Sequence, residues 1–212
     1  MTNSILCRHV VGPECLSESF EGEPASAAID RYWDGRKAPA ELITAVRCAW
    51  SEENLYFQFE APFIDLSVNE DWARDESIYG LWQKDVVEVF LRPEISEFYF
   101  ELEVSPLGQW LDALVRQPRK DIDFGWRSQM KVECEIDQQR KLWTARLQVP
   151  IEPMTCALQV RYRPEAGDAW KINLFRVSGA EPQREYLAWQ PTFTPQPDFH
   201  VSSAFGNLLL VE

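Results

Sequence analysis

Apolar and polar residues alternate with a period of two along most of this chain, as they do in strands that keep one face in a core. From Val86 onward, Val87, Val89 and Leu91 fall on one side and Glu88 and Phe90 on the other. A second run is cleaner: Phe98, Phe100, Leu102 and Val104 share one face, and Tyr99, Glu101 and Glu103 share the opposite one. One face of this pair is therefore core and the other carries carboxylates. Thr44–Trp50 and Leu55–Glu60 flank the polar segment Ser51–Asn54 and predict a hairpin, with Leu55, Phe57 and Phe59 on one face. Lys131–Ile136 and Trp143–Val149 predict another, in which Trp143, Ala145, Leu147 and Val149 face inward. Trp110–Ala113, Leu158–Arg163, Trp170–Arg176 and Phe205–Val211 read as further strands. The acidic stretch Pro62–Tyr79, the charged stretch Arg116–Gly125 and the proline-rich Ser178–Phe199 read as exposed loops. No repeat and no strong helical period is present. The pattern predicts an all-β chain, an antiparallel β-sandwich forming a single domain over residues 1–212.

At 212 residues the chain is long enough for one large sandwich. Nine Trp, twelve Phe and six Tyr are more aromatic side chains than such a core needs, so part of this load is expected on binding surfaces, although an aromatic core alone would also account for it. A net charge of −13 argues against nucleic acid and anionic membrane, which need a basic partner, and suits a neutral ligand or a cation. Cys7, Cys15, Cys48, Cys134 and Cys156 are odd in number and lack CxxC spacing, which predicts free buried thiols and neither a zinc cluster nor a disulfide framework. The start of the chain has no export leader and no apolar run approaches the ~20 residues of a membrane span, so a cytoplasmic location is expected.

The run WQKDVVEVFL (residues 82–91), followed by YFELEVSPLGQWLD (residues 99–112), resembles the family 9 carbohydrate-binding modules and their relatives in the DOMON-like superfamily. WKINLFR (residues 170–176) resembles the late strand of that family. Trp189-Gln-Pro, His200 and the segment Phe205–Leu208 resemble the closing segment of its single-domain members. The resemblance covers nearly the whole chain, loosely, with its motifs in the same order. It implies a jelly-roll-like, DOMON-like β-sandwich that binds a saccharide without cleaving it. It also leaves calcium open, since members carry it, though no EF-hand-like loop is present here. A separate carbohydrate-active enzyme is an implied partner, as modules of this family commonly serve one.

A sugar ring offers hydroxyls at its rim and C–H patches on its faces, so its receptor combines flat aromatic surfaces with fixed hydrogen-bonding groups. By resemblance Trp82 is the aromatic platform and Glu88, six residues later, a carboxylate that binds hydroxyls. Asn173 alternates with Ile172 and Leu174 and so faces away from the core; a sheet-edge hydrogen bond is the alternative use of its amide. Where the family has a second tryptophan three residues after that Asn, this chain has Arg176, whose planar fork suits an acidic or phosphorylated sugar. Trp189 is a candidate for the missing wall, and Arg92 and His200 for the polar rim.

Three other functions compete. A glycoside hydrolase needs two facing carboxylates, but Asp85 and Glu88, three apart on a regular strand, point to opposite faces. Glu101 and Glu103 share a face, yet adjacent like charges on a strand read more simply as a solvated surface. A haem module would need His200 with Met130 or Met154, and neither pairing has a local motif. A sandwich that has lost its ligand and binds protein is the third, kept open by Arg176.

Overall fold

The computed structural model describes residues 3–11, 20 and 25–212. The hydrophobic alternation is realised as a single hydrogen-bonded sheet. Its first strands are β1 (Ser4–His9), β2 (Ala27–Ile29), β3 (Arg31–Tyr32), β4 (Thr44–Trp50) and β5 (Asn54–Pro62). After the long loop come β6 (Val86–Pro93), β7 (Tyr99–Val104), β8 (Trp110–Gln117) and β9 (Asp121–Asp123). The rest are β10 (Lys131–Asp137), β11 (Leu142–Pro150), β12 (Ala169–Ser178), β13 (Glu185–Ala188) and β14 (Gly206–Val211). The main order is β10-β11-β5-β4-β1-β14-β12-β6-β7-β8-β9.

Most neighbours are antiparallel, as expected, but β1 lies parallel to both β4 and β14. The sheet is thus mixed, which corrects the expectation of a purely antiparallel arrangement. The correction comes from the N-terminal strand, which enters between two halves that would otherwise end in free edges. The halves curl over a shared core. Leu55, Phe57 and Phe59 of β5 and Trp143, Ala145, Leu147 and Val149 of β11 join Val87, Val89, Leu91, Phe100, Leu102 and Val104 in one buried cluster. Each such large side chain contributes about 1.5–3 kcal/mol by leaving water.

Two local expectations differ. The run Leu158–Arg163 is not a strand. It follows a short helix, α1 (Ile151–Ala157), whose carbonyls at Met154, Thr155 and Cys156 take the N–H groups of Leu158, Val160 and Gln159 that a sheet neighbour would have needed. The stretch after Arg116 is no bare loop, since β8 extends through Gln117 and β9 pairs back on it. Cys7 and Cys48 are buried free thiols, Cys134 is half-buried and Cys156 is exposed; Cys15 lies outside the described residues. No helix among the described residues is long and apolar enough to cross a membrane.

Candidate functional site

The site grows from the face of β6, β7 and β12 that looks away from the main core. In an antiparallel pair, residues directly opposite each other project to the same side. Glu88 stands opposite Glu103 on β7 and Phe175 on β12, while Phe90 stands opposite Glu101 and Asn173. Register therefore collects Glu88, Glu101 and Glu103 on one floor, with carboxylate oxygens within 4.8 Å of one another. Above the floor lies a cavity of about 520 Å³. Tyr79 and Trp82, from the turn that leads into β6, form one wall together with Phe124. Tyr79 meets the other two rings edge-on at centroid distances of 5.1 and 5.0 Å, and Trp82 and Phe124 lie 30° from parallel at 6.4 Å. Arg119, Tyr186, Asp198, Phe199 and His200 complete the enclosure.

The floor is electrostatically unusual. Glu88, Glu101 and Glu103 are only 2%, 5% and 0% exposed; Glu101 and Glu103 hydrogen-bond to each other, and Glu88 Oε1 has no hydrogen-bond partner. Burial, then the neighbouring Glu101, pushes the Glu88 carboxyl well above the ordinary carboxylate range. Burial, then Glu88 and Glu101, does the same to Glu103. Burial raises Glu101 to about 7, against lowering pulls from its hydrogen bond with Glu103 and from Arg119. Like charges placed directly across a ladder repel, so the three cannot all ionise unless positive charge arrives. Arg119 is drawn off to Asp198, 2.7 Å away. His200 is lowered to about 4 by burial and by Arg119, so its neutral ring bonds the Tyr99 hydroxyl through Nδ1 at 2.7 Å.

Of the residues singled out in the sequence, the structure brings Trp82, Glu88 and His200 together around this cavity. Four others lie outside it. Arg92 pairs with Glu97 at 2.8 Å and pins the turn between β6 and β7. Asn173 shares the floor's face, but its amide donates to the Gln190 carbonyl at 2.8 Å and accepts from the Gln190 N–H at 3.0 Å, the sheet-edge alternative. It thereby ties the loop that leads to His200 onto β12. Arg176 falls on the opposite face, fully buried, where it donates to the Leu42 and Pro62 carbonyls and to Thr44 Oγ1. Trp189 packs in the main core with its ring over Gly206. Strand parity decides the Arg176 case, because residues three apart on a regular strand cannot share a face.

Tyr79, Phe124 and Arg119 are cavity residues with no signal in the sequence, and Glu101 and Glu103 join them. The reading of Glu101 and Glu103 as a solvated surface is corrected by their burial. The available signal was Tyr99 and Phe90 interleaved on the same face as the acids, since aromatic neighbours mark a covered face. Asp85, the other half of the weighed hydrolase pair, is not in the cavity; it accepts the N–H groups of Ser67 and Gly179 and braces the entry to β6. Met154 is buried in the main core, and Met130 packs against it, on the far side of the sheet from His200. A calcium ion takes about 6–8 oxygens arranged around it. The three carboxyls approach from the floor alone, so the fit to calcium is incomplete.

Comparison with known proteins bears on the family and the fold. Residues 45–210 match the model of carbohydrate-binding family 9. The chain is 25% identical over 187 residues to UPF0462 protein C4orf33 of Homo sapiens, covering 84% of this chain and 85% of that one. It is likewise 25% identical over 188 residues to the Danio rerio homolog, covering 86% and 87%. Among solved structures, a protein of Bacteroides uniformis assigned as carbohydrate-binding superposes with a TM-score of 0.77 at 16% identity, covering 99% of this chain and all of that one. A family 9 module of Caldicellulosiruptor kristjanssonii in complex with glucose superposes at 0.64 and 13% identity, covering 98% and 95%. These likenesses show the fold.

Proposed function

The chain belongs to carbohydrate-binding family 9, and from that premise we propose that it binds a saccharide, without cleaving it, in the cavity between the Trp82 wall and the carboxylate floor. The observation that carries the reading is a wall of aromatic rings standing beside buried acceptors. Trp82, backed by Tyr79 and Phe124, offers its ring to the C–H face of a pyranose, and Glu88, Glu101 and Glu103 accept hydrogen bonds from its hydroxyls. The volume falls in the range of about 300–1,000 Å³ usual for small-molecule sites. The glucose and cellotriose complexes of two structural neighbours support the class of ligand. Cleavage is disfavoured by placement. A hydrolase needs its two carboxyl groups on either side of the scissile bond, and these three rise from one side.

A saccharide panel followed by tryptophan fluorescence tests the proposal, because a ring stacked on Trp82 perturbs its emission. Saturable binding is expected, and Trp82→Ala should weaken it at least tenfold, about 1.4 kcal/mol, with the circular dichroism spectrum unchanged. A flat response from folded protein across the panel would turn the reading toward a protein-binding domain.

A further inference from the structure

Sequence reading tied ligand class to Arg176 and an acidic sugar. The structure removes that cation from the site and leaves three acids in its place. Resting on the saccharide reading above, we propose that the natural ligand is an amino sugar whose ammonium group docks on Glu88, Glu101 and Glu103 while its ring lies against Trp82.

Three features of the cavity converge on this class. First, acceptors crowd the floor: Glu88 Oε1 is buried with no hydrogen-bond partner, and the buried Glu101 and Glu103 carboxyls have only each other and the Trp82 backbone as hydrogen-bonding partners. Neutral sugars can satisfy such oxygens with hydroxyls but bring no charge to offset three neighbouring acids. Second, the number and grouping fit. A primary ammonium carries three N–H donors in a tripod, and three carboxyls with oxygens within 4.8 Å of one another can each take one. Third, among the described residues no cation is bonded to the floor, although Arg119 acts on Glu101 from a distance. Arg119 is held by Asp198 at 2.7 Å, Lys120 is solvent-exposed at the rim, and His200 sits 3.9 Å from Glu101 with its Nδ1 engaged by Tyr99. The other ionisable groups facing the cavity, the phenols of Tyr79 and Tyr186, bring no positive charge. The raised carboxyls are consistent with a floor that holds protons until a positive group replaces them. The aromatic wall adds favourable quadrupole attraction to a cation held beside it.

The test compares glucosamine oligomers with their N-acetylated counterparts and with gluco-oligosaccharides of equal length, titrated into the whole native protein at pH 6.5 by calorimetry. N-acetylation keeps the ring and removes the charge, so the comparison isolates the ammonium. Glucosamine oligomers should bind at least tenfold more tightly than either neutral series. In Glu103→Gln that preference should shrink at least fivefold, with affinity for the neutral series less affected. The native-protein comparison stands by itself if that variant does not fold. Neutral sugars binding as tightly as amino sugars would overturn the amino-sugar assignment and leave saccharide binding in place. Binding by none of the three series would overturn both. A parallel titration with calcium chloride alone covers the remaining source of positive charge: saturable calcium uptake lost in Glu103→Gln would make the floor a metal site and overturn the assignment.

Discussion

Single side chains in this protein owe their roles to which side of a strand they occupy. Glu88 and Arg176 illustrate it. Both are ionisable, buried and on adjacent strands, yet one looks into the cavity and the other into the core, where it bonds two backbone carbonyls. Burial lowers the Arg176 guanidinium to about 10, so it stays charged at neutral pH. Arg176→Met keeps most of the volume but leaves those carbonyls unpaired, at about 1–3 kcal/mol for each. A loss of at least ~2 kcal/mol in urea unfolding is expected, with saccharide affinity of the folded fraction unchanged. A selective loss of affinity would instead return Arg176 to the binding site. Glu88→Gln should do the reverse, lowering saccharide affinity by several-fold without loss of stability, because an amide keeps only part of the accepting capacity of a carboxylate.

At the level of elements, the parallel strand β1 closes the sheet by filling the slot between β4 and β14. The seam is tight at Gly206, the first residue of β14. A Cβ there would come within 2.6 Å of the Asn3 carbonyl and of the Trp189 ring. Backbone on one side and a core indole on the other leave little room to give, so Gly206→Ala is expected to cost about 1–3 kcal/mol. Thermal unfolding would register it as a lower midpoint, and an unchanged midpoint would mean that the seam can open. The same seam explains why Trp189 cannot turn toward the ligand: its ring is the packing partner of that glycine. Asn173 acts at this scale too, since its clamp on Gln190 sets the path of the loop that brings Phe199 and His200 over the cavity.

For the whole molecule, the carboxylate floor couples stability to pH. Glu88, Glu101 and Glu103 have folded-state values above their unfolded ones, so the folded protein holds more protons than the unfolded chain. Their contribution is fully present below about pH 4.5 and is lost as pH rises through Glu101's value of about 7 and beyond. Urea midpoints of the ligand-free protein should therefore fall between pH 5.5 and 8.5, and Glu103→Gln should flatten that fall. A flat profile in the native protein would mean that the floor is already neutralised.

Much of this was legible in the residues themselves. Alternation located the hairpin of β4 and β5, that of β10 and β11, and the core faces of β6 and β7, because period-two patterning is a local consequence of strand geometry. The resemblance to the family, carried by Trp82 and Glu88, pointed at one corner of the cavity. Alternation says which residues share a face within a strand. It does not say which strands become neighbours, and that long-range choice placed Glu103 opposite Glu88 and made a solvated-looking pair of acids into a buried floor. Nor could it reveal that the segment Arg116–Gly125 would fold back and lend Phe124 and Arg119 to the site, or that β1 would enter parallel. The chain alone determined an all-β protein with an aromatic and acidic face. Pairing register and loop coverage, which depend on contacts between residues far apart in sequence, decided where that face closes into a cavity and what charge it presents.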